Sequence, residues 1–90
     1  MTKLEEARLV IDSIDNEIIR LFEQRMDVIK EVVKFKIENN IPVLDSSREK
    51  IMLEKNLNKI TNEQYKAYYK TVLEGFLKAS KDMQNDILNK

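Results

Sequence analysis

A chain of 90 residues makes one domain at most, and one so short gains much from a partner subunit. Its 16 basic and 16 acidic side chains cancel to a net charge of +0, so no global field recruits nucleic acid or an anionic membrane. Neither Cys nor His occurs, which excludes disulfides, thiol chemistry, the commonest general base and the commonest metal ligand.

The rest of the composition, 36% charged and 42% apolar with 1 Gly and 1 Pro, points to an all-α domain of long helices. The opening stretch MTKLEEARLV has no apolar core of a signal peptide, and no run reaches membrane-spanning length. The expected compartment is the cytoplasm.

Thr2 and Glu5 are spaced as a capping box and open the first predicted helix. Its apolar residues follow a heptad seam. Leu4, Ile11, Ile18 and Val32 hold one register, and Ala7, Ile14, Leu21, Val28 and Phe35 the other. Asn39 and Asn40 can adopt the left-handed conformation that ends a helix, and Pro42 prevents its resumption. The helix therefore runs from about Lys3 to about Glu38, roughly 50 Å. A compact globule of this size is only about 30 Å across. Such a helix cannot be covered by its own chain, so its seam should meet a second copy, most simply about a twofold axis.

A loop from Asn39 to Leu44 leads to a short second helix starting near Ser46 or Ser47. Ser46 and Glu49 again have capping-box spacing, Ile51, Leu53, Leu57 and Ile60 supply an apolar side, and the helix ends near Asn58. Thr61 and Gln64 make a third box-like start. Helix three then runs to about Leu88 with a stripe of Tyr65, Tyr68, Val72, Phe76, Ala79, Met83 and Ile87. Tyr69 joins these aromatics as core or rim. Gly75 in mid-helix costs about 1 kcal/mol against Ala, which marks it as a candidate close helix contact. The predicted architecture is long, short, long, a single domain over residues 1–90.

Several residues break these patterns. Arg25 sits on the seam where an apolar side chain belongs, and a guanidinium cannot shed its charge. It either pairs with an acidic side chain or fixes the register, or it binds a ligand carboxylate. Arg8 and Lys36 flank the seam. Lys36 lies about three turns from Arg25, within reach of one cavity, whereas Arg8 is roughly 25 Å away along the axis. Only a partner's Arg8, in an antiparallel dimer, would reach the same ligand. Arg48 and Glu49 stand at the start of helix two, where unpaired N–H groups suit an oxygen-rich ligand, although Glu49 reads first as a capping-box residue. On helix three, Ser80 and Gln84 are one turn apart and interrupt the apolar side that includes Leu73 and Leu77. Either a surface position or an inward polar pair accounts for them. No glycine-rich phosphate loop, metal-ligand cluster or nucleophile–base pair is found.

Taken together, RLVIDSID from Arg8 to Asp15, Leu21 to Arg25, Val32 to Lys36, Pro42 to Asp45 with Arg48 and Glu49, and Ser80 with Gln84 resemble the all-helical (AroQ-type) chorismate mutases. The likeness extends from about Leu4 to Gln84. It implies an intertwined homodimer that converts chorismate to prephenate by a Claisen rearrangement without cofactor or metal. It further implies that the partner's Arg8 and Arg25 bind the two substrate carboxylates, with Ser80 assisting at one. Lys36 and Gln84 would donate to the ether oxygen. Glu49 and the Asp45 backbone would hold the ring hydroxyl, and Arg48 would lie over the ring and orient Glu49. Two alternatives share the pattern: an isochorismate pyruvate-lyase of the same fold, and a non-catalytic helical dimerisation module.

Overall fold

The computed structural model describes residues 1–89. Three helices follow in chain order: α1 Lys3–Glu38, α2 Ser46–Leu57 and α3 Glu63–Leu88. No strand occurs among the described residues, so the all-helical, long–short–long order holds. None of the helices is long and apolar enough to cross a membrane. The chain divides into two compact units, Met1–Val32 and the residues from Val33 onward.

The first unit is most of α1. Its start is the predicted capping box. The Glu5 N–H donates to Thr2 Oγ1 at 3.1 Å, and the Thr2 N–H reaches Glu5 Oε1 at 3.3 Å. Glu5 and Glu6 in the first turn also complement the positive end of the helix dipole. Farther along, Arg20 grips Glu17 with two hydrogen bonds of 2.8 and 3.3 Å. No residue of this unit is buried. Its seam, Leu4, Ile11, Ile14, Ile18, Leu21, Val28 and Val32, stands 46–58% exposed.

The second unit begins with the end of α1. Asn40 takes the left-handed conformation at φ 56, with no need of glycine. The Ile41 N–H bonds the Lys36 carbonyl at 2.8 Å, and the Asn40 N–H bonds that of Ile37 at 3.3 Å. This is a Schellman motif, and it satisfies carbonyls that the helix end would otherwise orphan. The core of the unit is Val33, Val43 and Leu73, and α2 packs on α3.

Both later helix starts lie one residue away from the predicted capping pairs. Asp45, not Ser46, caps α2, its side chain accepting from the Arg48 N–H at 3.0 Å. Asn62, not Thr61, caps α3 through the Gln64 N–H at 3.0 Å. Asp and Asn compete well for the cap position, so adjacent candidates decide in their favour. The α3 stripe also differs over its first half, where Tyr65, Tyr68 and Val72 are exposed and the neighbouring Tyr69 and Leu73 turn inward. Within the chain, Gly75 marks no close contact, since a Cβ there would meet nothing within 4 Å.

Candidate active site

Six of the predicted site residues belong to the second unit. Lys36 is in the last turn of α1, half-buried, and its Nζ donates to the Val43 carbonyl at 3.3 Å. That bond ties the loop back to the helix just before α2 begins. An ammonium has three donors, so one bond to Val43 leaves capacity for a ligand oxygen. Asp45 and Arg48 are exposed, and they are linked through the cap itself.

The cap register changes the reading of Glu49. With Asp45 at the cap, Arg48 occupies the third helical position and Glu49 the fourth, so Glu49 is out of place for a capping box. Its carboxylate instead crosses to α3, where Oε2 meets Lys81 Nζ at 3.2 Å. The capping alternative is therefore overturned by geometry. Nothing periodic in the sequence marks Lys81, because the pairing depends on how α2 registers against α3.

Ser80 is 6% exposed, the only buried polar residue among the described ones. Its Oγ donates to the Phe76 carbonyl at 2.9 Å, the back-bond to the preceding turn that helical serines make. Gln84, one turn on, is half-buried. The inward reading of the pair thus fits Ser80 fully and Gln84 in part. Lys81 lies between them in sequence, so α2's Glu49 is drawn to the same stretch of α3 that carries Ser80 and Gln84.

Arg8 and Arg25 belong to the first unit. Arg8 is exposed beside a shallow depression formed with Met1, Glu5 and Leu9. Arg25 is half-buried and engaged in an interaction of its own. No group of acidic residues among those described is arranged to hold a metal ion. The chemistry on offer is hydrogen bonding and charge: Lys36 and Arg48 as cations, Ser80 and Gln84 as neutral polar groups, Glu49 as an acceptor.

A three-helix chain with basic and amide side chains at its candidate site is an architecture open to all-helical enzymes and to helical assembly modules alike. Residues 7–85 match the family described as chorismate mutase type II, and the chain belongs to that family. It is 42% identical over 57 residues to a bifunctional chorismate mutase/prephenate dehydratase of Buchnera aphidicola, a match covering 61% of this chain and 15% of the relative. It is 37% identical over 54 residues to the T-protein of Haemophilus influenzae, covering 60% of this chain and 14% of that protein. A chorismate mutase of Methanocaldococcus jannaschii is 40% identical over 53 residues, covering 59% of this chain and 54% of the relative. The matched stretch thus spans about half the length of the last relative and much less of the other two. Among solved structures, a chorismate mutase from Thermus thermophilus superposes with a TM-score of 0.86 at 23% identity, covering 93% of this chain and 96% of that one, and shares its fold.

Proposed function

We propose that this chain is a cytoplasmic chorismate mutase that rearranges chorismate to prephenate as a homodimer. The observation that carries the reading is the extent of the family match. Residues 7–85 take in every predicted site residue, from Arg8 to Gln84.

The reaction breaks a C–O bond and forms a C–C bond within one molecule, with no net proton transfer. A chain without His or Cys is therefore chemically equipped for it. The enzyme must hold a flexible dianion in a chair-like conformation, which is an orientation effect. It must also stabilise negative charge developing on the ether oxygen, which is an electrostatic one. Arg25 and the partner's Arg8 take the two carboxylates, and Ser80 assists at one of them. Lys36 and Gln84 donate to the ether oxygen, each such donor contributing on the order of 3 kcal/mol. Glu49 and the Asp45 backbone hold the ring hydroxyl, while Arg48 covers the ring and orients Glu49.

The dimer has its support in the seam of α1, whose Leu, Ile and Val side chains stand 46–58% exposed. The two α1 helices run antiparallel, so that each Arg8 serves the site of the other subunit.

The experiment is to follow chorismate absorbance on adding purified protein and to identify the product. Prephenate is expected. Unchanged chorismate from a folded sample, with pyruvate released from isochorismate instead, would replace the mutase by the lyase.

A further inference from the structure

A glutamate at the fourth position of a helix has no cap to hold it, and its three side-chain torsions leave it free to sample many rotamers. Glu49 is in that position, yet its side chain is only 23% exposed and is held by Lys81 Nζ at 3.2 Å. The bond also joins two helices. Arg20 with Glu17, Lys66 with Glu63 and Lys78 with Asp82, by contrast, each pair within a single helix.

We infer that Lys81 is a positioning residue for the rearrangement: it holds the Glu49 carboxylate of α2 against α3, aimed at the substrate's ring hydroxyl. The inference rests on the chorismate mutase reading above. Two physical effects follow from the arrangement. The ion pair restricts Glu49 before substrate arrives, so less ordering remains for the transition state. The ammonium also offsets the negative charge that Glu49 presents to an incoming dianion, an effect that acts on binding. Lys81 itself need not touch substrate. It lies inside α3, next to buried Ser80 and about one turn before Gln84.

A structural ion pair this exposed, with Lys81 at 48%, contributes little to stability. Stability and activity therefore separate the two roles. The test measures kcat and KM for chorismate with Lys81→Met, Lys81→Arg, Glu49→Gln and the double variant Glu49→Gln/Lys81→Met, alongside melting curves. Lys78→Met is the charge control, since that lysine pairs in the open with Asp82.

Lys81→Met is expected to lower kcat/KM about tenfold, below the roughly hundredfold that an ångström of misplacement can cost. Both a lower kcat and a higher KM should contribute, with the melting curve little changed. Lys81→Arg should restore most of the activity, and Lys78→Met should leave it intact. In the Glu49→Gln background, Lys81→Met should cost almost nothing further, because its action runs through the carboxylate. Near-native activity in Lys81→Met overturns the assignment, and so do losses that simply multiply in the double variant. Loss of helical signal in Lys81→Met without rescue by arginine also overturns it. A wild-type chain with no turnover of chorismate instead sinks the mutase reading, and the positioning role falls with it.

Discussion

Under the proposed function Lys36 has two tasks, and substitution can separate them. Its ammonium bonds the Val43 carbonyl, closing the loop between α1 and α2, and the proposed mechanism asks the same group to donate to the ether oxygen. The loop bond is a single half-buried contact with a charged donor, for which about 1.5–3 kcal/mol is the scale. The mechanistic contact is made to charge that exists only in the transition state, so its loss falls on kcat. Lys36→Ala should therefore lower kcat by at least about 100-fold while the protein still folds, with helical content and melting temperature as the check. A chain that kept near-native kcat/KM would remove Lys36 from the catalytic set. Arginine is a poor substitute, because a planar fork cannot reproduce a point charge at one oxygen.

The second proposed donor, Gln84, can be tested by pH. Gln84 carries an amide, which has no proton to lose in the working range, so its donation does not depend on acid. In Gln84→Glu, the introduced carboxyl donates only when protonated. Activity of that variant should fall as pH rises through the ordinary glutamic acid pKa of about 4.3, whereas the wild type should show no such fall there. A pH profile of kcat/KM for the two proteins, compared over the range in which both remain helical, checks this. Parallel profiles would place Gln84 away from the ether oxygen.

At the scale of elements, the start of α2 joins stability to the site. Asp45 caps the helix with its side chain, while its proposed role toward substrate lies in its backbone. Asp45→Asn keeps an accepting oxygen and the same backbone, so both melting temperature and kcat/KM should stay close to wild type. Asp45→Ala should destabilise by about 1 kcal/mol. It should also lower kcat/KM, because the turn carrying Arg48 and Glu49 frays. Thermal denaturation and steady-state kinetics on the pair measure both effects. A kcat/KM in Asp45→Asn as low as in Asp45→Ala would mean that the carboxylate charge itself is used.

The same turn shows what sequence discloses and what it withholds. The helix bounds of α1 were legible because capping pairs and heptads are local patterns, and Thr2, Glu5 and Asn40 behave as their chemistry dictates. Asp45 and Ser46, or Thr61 and Asn62, are adjacent residues that all make good caps, and local pattern cannot choose between them. That one-residue difference decides whether Glu49 is a cap or a cross-helix partner. On α3, Tyr65 and Tyr68 fit an apolar stripe by type yet sit on the open side, since tyrosine suits either environment. Arg25 and Ser80 were legible as site candidates because each violates an apolar pattern. Lys81 violates none, so its pairing could be seen only once α2 and α3 were in place.

The whole molecule raises the question of where Arg8 acts. Along Met1–Val32 the seam is about half exposed, and covering each such Ile or Leu would contribute about 1 kcal/mol. A second copy of the chain has the matching stripe, and in an antiparallel pair it brings an Arg8 toward the far half of its neighbour. Arg8→Ala and Arg25→Ala should each abolish turnover as separate proteins. Once mixed in equal amounts and allowed to exchange, half of the dimers pair one subunit of each kind. In such a dimer, one site lacks both arginines and the other has both, so about a quarter of wild-type activity should return. If Arg8 served the site of its own chain, every site in the mixture would lack one arginine and nothing would return. Exchange can be followed independently by mass spectrometry of differently labelled subunits. Full exchange without recovered activity would therefore rule out a site shared between subunits and return Arg8 to the solvent-exposed flank of α1.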